Sequence, residues 1–391
     1  MTYDYDVIVV GARLAGSATA MLLARRGHRV LLVDRTVMPA DTVSTHAMLR
    51  SGVLQLQRWG VLDRIIGLGT PPVRNVMLGF GEERIPIRLS TDHGVEALYA
   101  PRRHLLDSAL LEAAVEEGVE ARTGVRVTDL TRNRDGRVVG VTMQGASGES
   151  AVSARVVIGA DGVHSRVAEL AGAKAYRAHR PTNAVHYAYF SGIEHAGFWF
   201  QFTPGVNAGM IQTNDDAVLA FVARPAGQVA AFRADPDAEF RRLLAHGGSD
   251  LAAIVATGER LGPYRGTPGL PGFMRTPWGP GWALVGDAGY TKDPISAHGM
   301  SDALRDAELC ARAVDRSLCT PDVAGEALAD YHRVRDALSV RMFAESTALA
   351  AYGWGAAEAS RRMRIISESV RHECEALLAL PAWGVAVSSA A

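Results

Sequence analysis

The chain has 391 residues, enough for about two to three domains, and its content of 48% apolar and 21% charged residues is typical of globular rather than disordered proteins. The 41 Lys and Arg residues nearly balance the 42 Asp and Glu residues, and the resulting net charge of −1 argues against nucleic-acid binding. Three cysteines without a CxxC pair give neither a disulfide framework nor a metal site. With no signal-peptide pattern and no apolar run long enough for a transmembrane segment, a cytoplasmic location is expected.

The first residues predict a βαβ unit that binds a dinucleotide. Residues 6–10 and 29–33 are continuous apolar runs, typical of buried parallel strands, with a helical stretch between them. Gly11 and Gly16 open that stretch, and Asp34 ends the second strand. In such a unit glycines let the backbone approach a pyrophosphate, the helix N-terminus supplies N–H groups, and the acidic residue accepts hydrogen bonds from a ribose. The expected binding residues here are Gly11, Leu14, Ala15, Gly16, Asp34 and Arg35.

One position departs from the G-x-G-x-x-G pattern of such units. Arg13 occupies the place of the central glycine, which puts the close approach of a phosphate at that point in question. An arginine could turn away from the backbone and add positive charge near the phosphates, so Arg13 is kept among the expected cofactor residues. The alternative is a chance pair of glycines between a strand and a helix.

The middle of the chain predicts a hairpin and then an antiparallel sheet. The hairpin spans residues 125–143 around Asp135-Gly136, a good turn signal. Residues 182–224 then alternate between polar and apolar, with residues 73–89 as possible additional strands, and the four strands expected there are 185–190, 197–202, 208–213 and 218–223. In the second of them Phe198, Phe200 and Phe202 share one face, whereas Trp199 and Gln201 share the other. Most of these side chains should belong to the core, and a subset should form an apolar substrate wall.

The remaining segments predict helices and one crossing. Helices are expected at residues 235–245, 250–259 and 301–316, and again through most of residues 325–380 with a break at 352–355. Residues 262–281 are rich in Gly and Pro and are interpreted as a crossing between domains.

Two short motifs of aspartate and glycine follow buried strands. Asp161-Gly162 comes after an apolar run at 156–158, and Gly286-Asp287 comes after one at 282–285. An aspartate at the carboxyl end of a strand can accept hydrogen bonds from polyol hydroxyls. Gly299 and Met300 open the next helix, where their N–H groups can stabilise an electron-rich carbonyl or a reduced ring.

The order of these motifs resembles that of the FAD-dependent monooxygenases of the p-hydroxybenzoate hydroxylase type and of their relatives, the flavin halogenases and geranylgeranyl reductases. The resemblance covers most of residues 1–335. It implies an α/β fold in which a Rossmann-like FAD-binding domain carries an inserted antiparallel-sheet substrate domain and a helical C-terminus. The implied divisions are 1–72, 99–178 and 275–335 for the discontinuous FAD-binding domain, 73–98 and 179–274 for the substrate domain, and 336–391 for the C-terminal helical segment.

The resemblance also implies roles for individual residues. Asp287 would bind the ribityl chain of FAD, Asp161 and Gly162 would lie near the FAD and the path of NAD(P)H, and Pro294 would pack near the reacting edge. Arg103, in an R-x-x-L pattern, would contact the FAD, and Val127 would lie against the adenine. The expected cofactor residues are therefore those of the first βαβ unit, Arg13 and a second group. The second group is Arg103, Val127, Asp161, Gly162, Gly286, Asp287, Pro294, Gly299 and Met300.

The favoured function is that of a monooxygenase, which uses FAD, NAD(P)H and O₂ to hydroxylate an aromatic or polyketide-like small molecule of secondary metabolism. The alternatives are a carbon–carbon bond reductase or oxidase of the geranylgeranyl reductase type, which the stretch Asp293-Pro294-Ile295-Ser296 favours, and a non-catalytic flavin-binding protein. Halogenation is disfavoured, since no lysine follows the first βαβ unit until Lys174 and the W-x-W-x-I-P stretch is missing. His46 and His298 are candidates for proton handling, but no catalytic residue, oligomeric state or nicotinamide preference is specified.

Overall fold

The computed structural model of the protein describes residues 2–194 and 197–383. The strands in these residues are β1 (Tyr5–Val10), β2 (Val30–Asp34), β3 (Asn75–Phe80), β4 (Glu83–Arg88), β5 (Glu120–Thr123), β6 (Arg126–Arg132), β7 (Val138–Gly145), β8 (Gly148–Gly159), β9 (Ala175–His179), β10 (Asn183–Ser191), β11 (Phe198–Thr203), β12 (Val206–Gln212), β13 (Val218–Pro225), β14 (Glu259–Thr267), β15 (Gly272–Arg275), β16 (Trp278–Gly279), β17 (Trp282–Leu284) and β18 (Tyr290–Thr291). The helices are α1 (Leu14–Ala24), α2 (Arg50–Arg58), α3 (Leu62–Gly67), α4 (Arg103–Glu116), α5 (Arg166–Ala171), α6 (Val229–Ala234), α7 (Pro236–Gly247), α8 (Ser249–Val255), α9 (Gly299–Cys319), α10 (Ala324–Ala350) and α11 (Ala356–Ala379).

The first sheet contains the predicted βαβ unit. β1 lies between β2 and β8 and pairs parallel with both, while β5 and β17 extend the parallel order at the two sides. The apolar side chains of β1 and β2 are buried on both faces, as continuous apolar runs require. The predicted hairpin is confirmed as β6 and β7, and β7 pairs antiparallel with the first half of β8.

The second sheet has the strand order β14-β10-β13-β12-β11-β3-β4. The four strands predicted between residues 182 and 224 are confirmed, and the segment at 73–89 adds β3 and β4. Among these strands the pairing is antiparallel except for β3 and β11, which run parallel. Phe198, Phe200 and Phe202 face a core shared with α10 and α11, whereas Trp199 faces the core under α6, α7 and α8. The alternation therefore places each aromatic side chain on its predicted face.

The interpretation of residues 262–281 as a crossing is wrong in its first part. Residues up to Thr267 belong to β14, an edge strand that pairs with β10, and the helix expected to reach Glu259 ends at Val255. Gly and Pro weaken a central strand but are tolerated at an edge, where one side of the strand makes no ladder hydrogen bonds. Residues 272–275 of the expected crossing form β15, the middle strand of a third, antiparallel sheet with the order β18-β15-β9.

The predicted C-terminal helices are confirmed as α10 and α11, and residues 384–391 of the expected helical segment lie outside the described residues. Within the described part of the chain, no helix combines the length and apolarity needed to span a bilayer. All three cysteines are free thiols.

A buried charge cluster joins α11 to the start of α9. The guanidinium of Arg305 donates to Asp302 Oδ1 and Glu373 Oε2, at 2.9 Å each, and to Asp306 Oδ1 at 2.7 Å. His298 Nε2 lies 3.2 Å from Glu373 Oε1. We call this set, whose members are at most 6% exposed, the buried charge cluster; it comprises Lys292, His298, Asp302, Arg305, Asp306 and Glu373.

We expect Glu373→Ala to destabilise the protein by about 3–5 kcal/mol, because it leaves the Arg305 guanidinium buried with one carboxylate fewer. Urea unfolding, followed by circular dichroism, measures the loss. The matched control is Glu375→Ala on the same helix, where the exposed side chain should change stability by less than about 0.5 kcal/mol. Equal unfolding midpoints for the two variants would contradict this role of Glu373.

Candidate functional site

Several segments of the first sheet and its flanking helices meet at the carboxyl ends of β1, β2, β8 and β17. Gly11 and Gly16 make this meeting possible through contacts within the chain itself. A Cβ on Gly11 would lie 2.4 Å from the carbonyl oxygen of Ala160, and one on Gly16 would lie 1.7 Å from that of Gly11. Both glycines are therefore required for the packing of β1, β8 and α1, before any ligand is considered.

The N-terminus of α1 has free amide groups at this edge. Its first amide, that of Leu14, donates to Asp107 Oδ1 at 3.1 Å, and the amide of Ser17 donates to the carbonyl of Arg13. Helix geometry leaves the amides of Ala15 and Gly16 without an intrahelical acceptor. These two N–H groups and the positive end of the helix dipole are suited to an anionic group such as a pyrophosphate.

Asp107 is a residue that the sequence interpretation did not single out. It is buried, and Arg103 Nη2 donates to its Oδ1 at 3.0 Å, so the Arg103–Asp107 pair holds α4 against the start of α1. Burial raises the pKa of Asp107, and the Arg103 guanidinium opposes that shift. The signal was present as the aspartate that follows the R-x-x-L pattern.

Asp34 lies at the end of β2, as expected for a residue that binds a ribose. Its Oδ2 accepts from the amide of Ala12 and its Oδ1 from that of Thr36, both at 2.7 Å. Each carboxylate oxygen has a further lone pair for a hydroxyl. The neighbouring Arg35 is exposed, and the amide of Val125 donates to the carbonyl of Asp34, which brings the start of β6 beside this edge.

Arg13 adopts an ordinary extended backbone, with φ −88° and ψ −168°, so no glycine is needed there for conformation. Its guanidinium turns to the segment that follows β2, where Nη2 donates to the carbonyl of Asp41 at 3.3 Å. The arginine thus leans away from the turn, as the sequence interpretation allowed.

The segment after β17 contributes several accessible residues to this edge. Asp287 is exposed, although residues 281–286 and 288–293 around it are buried. Pro294, Ala297 and Gly299 are also accessible, and a Cβ on Gly299 would meet no atom within 4 Å. The accessible groups of this segment are thus a carboxylate, an apolar ring and a helix N-terminus, and we call the surface around Asp287, Pro294 and Gly299 the cleft. Groups of these kinds are suited to the ribityl chain and the ring system of a flavin.

This segment also explains a departure from the family pattern. Ala297 stands where a glycine is usual and has φ +51°, in the left-handed region that favours glycine. The backbone that the family pattern encodes with glycine is thus present in this chain, at a cost of about 1 kcal/mol in strain.

Other predicted residues have structural tasks that the sequence did not reveal. The carboxylate of Asp161 accepts from the amides of Arg166 and Val167, at 2.7 and 3.1 Å, and from the hydroxyl of Ser165, so it caps α5. Gly162 has φ +81° and open space beside it. The side chain of Val127 is buried in the core under β6, and only its backbone is left to meet a ligand at this edge.

The inner face of the second sheet meets the 294–297 turn across a cavity of about 20 Å³, which has room for one water molecule. Asp293 fixes the two sides, because it accepts from Thr182 Oγ1 and Asn183 Nδ2 at 3.0 and 3.1 Å. The cavity is mostly apolar, and its lining is Thr45, Asn183, Val185, Phe200, Asn207, Phe221, Ala223, Pro294, Ile295 and Ala297. A groove of about 340 Å³ between α2 and α3 contains none of the predicted site residues.

His46 lies beside this cavity, buried and with φ +65°. Its Nε2 makes a hydrogen bond with the hydroxyl of Tyr189, the ring of which is stacked under Arg102. Burial, with the nearby Arg103 guanidinium, lowers the pKa of His46 to about 3. Burial also lowers the pKa of His298, which is engaged by Glu373. His46 is therefore neutral at pH 7, which disfavours it as a general acid.

Sequence comparison finds relatives that match different shares of the chain. Protein FixC of Escherichia coli K12 is 34% identical over 177 residues, which is 43% of this chain and 39% of FixC, so the match spans about two fifths of that relative. The digeranylgeranylglycerophospholipid reductase of Methanocella arvoryzae is 25% identical over 352 residues, 86% of this chain and 84% of the reductase.

Solved structures share the fold. A triple mutant of the flavin-dependent brominase Bmp2 superposes with a TM-score of 0.81 over 95% of both chains at 20% identity. PqsL of Pseudomonas aeruginosa, described as a probable FAD-dependent monooxygenase, gives 0.77 over 93% of this chain and 99% of PqsL at 22% identity. The family model described as an FAD binding domain matches residues 4–230, more than half of the sequence. The chain therefore belongs to this FAD-binding family.

Proposed function

We propose that the protein is an NAD(P)H-dependent monooxygenase that hydroxylates an apolar, aromatic or polyketide-like small molecule of secondary metabolism. The observation that carries this proposal is the meeting of two surfaces at residues 294–297. The accessible residues of the dinucleotide edge lie on one side, and the aromatic face of the second sheet lies on the other. A flavin ring held at the first surface would have the substrate wall against it.

The cofactor residues follow from this arrangement. The amides of Ala15 and Gly16 would bind the pyrophosphate, Asp34 the ribose and Asp287 the ribityl hydroxyls. When bound, FAD supplies the electron transfer and the activation of O₂. The full proposed set is Gly11, Arg13, Leu14, Ala15, Gly16, Asp34, Arg35, Arg103, Val127, Asp161, Gly162, Gly286, Asp287, Pro294, Gly299 and Met300.

The chain's own contribution would be to orient the substrate and keep water out. Phe200 and Phe221 present apolar rings to the cavity, and Pro294 and Ala297 close its cofactor side. Asn183 is already bonded to Asp293 and to the hydroxyl of Tyr352, so both ends of its side-chain amide have partners within the protein. An apolar lining of this kind favours an apolar substrate and protects a reactive oxygen species from water.

A second candidate is a reductase of carbon–carbon double bonds. It is supported by the similarity to the digeranylgeranylglycerophospholipid reductase, which extends over 86% of this chain. The same apolar wall would suit an unsaturated lipid or quinone, and the two candidates differ in whether oxygen enters the product.

Oxygen labelling separates the two candidates. For a monooxygenase, we expect the FAD-loaded protein to consume NADPH or NADH under air and to insert one atom of oxygen-18 from ¹⁸O₂ into a compound from a panel of phenols and aromatic polyketides. Mass spectrometry of the product measures the label. A hydrogenated product without label, formed equally well under nitrogen, would overturn the monooxygenase proposal in favour of the reductase.

For the cofactor residues, we expect Asp287→Ala to weaken FAD binding about tenfold to a hundredfold, because the loss of charged hydrogen bonds to hydroxyls costs about 1.5–3 kcal/mol. Fluorescence titration of the apoprotein with FAD gives the dissociation constant. Asp322→Ala, an exposed acid between α9 and α10, is the matched control and should leave it unchanged. Unaltered affinity in Asp287→Ala would remove Asp287 from the proposed set.

A further inference from the structure

Lys292, one of the two lysines of the chain, belongs to the buried charge cluster. It directly precedes the turn that lines the cleft, and its ammonium group forms an ion pair with Asp302 Oδ2. Asp302 belongs to the first turn of α9, the helix whose exposed N-terminal residue is Gly299. The ion pair therefore involves the first turn of α9, three residues after the exposed Gly299.

The charges of Lys292 and Asp302 have opposite effects on how strongly the amides at the start of α9 attract an electron-rich ligand. The free N–H groups at the start of a helix carry partial positive charge, which attracts an electron-rich ligand. A carboxylate in the same turn reduces that attraction, and burial at low dielectric keeps its field unscreened. A cation paired with the carboxylate removes the opposing field.

We propose that Lys292 is a positioning residue that neutralises Asp302, so that the N-terminus of α9 stabilises the reduced flavin and raises the reduction potential of the bound FAD. This inference rests on the proposed function in one respect only, namely that the flavin ring lies at the 294–299 segment.

The other charges around Lys292 do not replace it. Arg305 also contacts Asp302, but the same guanidinium is shared with Asp306 and Glu373, so its charge is already balanced. Asp287 adds negative charge on the cleft side, and Tyr290 offers only its ring, 5.2 Å from the ammonium. His298, in the same turn, is directed to Glu373.

The protonation of Lys292 adds a dependence on pH. Burial, together with the Arg305 guanidinium, lowers the pKa of Lys292 to about 7. The ammonium is thus present below this pKa and is lost as the pH rises through it. The contribution of Lys292 to the flavin potential should be largest in mildly acidic solution and should fade in alkaline solution.

Charge-changing variants test the inference through the midpoint potential of the bound FAD, measured by dye equilibration on the loaded protein. Lys292→Met should lower the potential by about 30 mV, which corresponds to a tenfold weaker preference for the reduced flavin in a two-electron couple. Asp302→Asn should raise it, the double variant K292M/D302N should return it close to the starting value, and Lys292→Arg should leave it nearly unchanged. The difference between Lys292→Met and the unaltered protein should shrink above pH 7.

Opposite signs for the two single variants are the decisive result, because a merely structural role would shift both potentials in the same direction. Equal potentials in all variants, or a fall in Asp302→Asn, would overturn the inference. If Lys292→Met does not retain FAD, two results still test the inference: the direction in which Asp302→Asn shifts the midpoint potential, and the midpoint potential of Lys292→Arg. An unaltered protein that binds no FAD would instead contradict the proposed cofactor arrangement, so the two failures are distinguishable.

Discussion

The architecture depends on a backbone contact between three segments that no side chain could enter. β1, β8 and the first turn of α1 approach each other so closely that Gly11 and Gly16 have no room for a Cβ. Because the strands end there together, Asp34, the α1 amides and the Gly286–Ala288 turn all open on one edge. A parallel sheet collects its functional groups at the carboxyl ends of its strands, and this close contact determines how tightly they are collected. The cleft is thus a consequence of how the first sheet packs.

Patterns that are local in the sequence predicted the fold well. The βαβ unit, the hairpin and the alternating strands each follow from a pattern of neighbouring residues, and the structure contains each of them. β14 was missed because its Gly and Pro residues resemble a loop, although an edge position tolerates them. The contacts that could not be anticipated are long-range ones: Asp107 accepts from the amide of Leu14, and Glu373 accepts from Arg305 across 68 residues. No spacing rule in a single sequence encodes such pairs.

The two departures from the family pattern have different physical meanings. Arg13 replaces a glycine at a position where the backbone is extended, so the substitution changes only which side chain is present. Ala297 replaces a glycine at a position where φ is positive, so it introduces strain beside the cavity at the 294–297 turn. Since brominases, monooxygenases and reductases share this fold, chemistry must be argued from such local features and from the lining of the cleft rather than from the architecture.

The contact of α11 with the buried charge cluster also affects how the protein folds during its synthesis. Glu373 is one of the carboxylates that balance Arg305, yet it is synthesised 68 residues later. While the ribosome adds those residues, the first sheet can form, but α9 lacks a carboxylate that its buried arginine requires. Domains that are complete in the sequence fold as they emerge, whereas this helix must wait for a distant partner. Stable burial of α9, and with it the final form of the cleft, therefore follows the synthesis of α11.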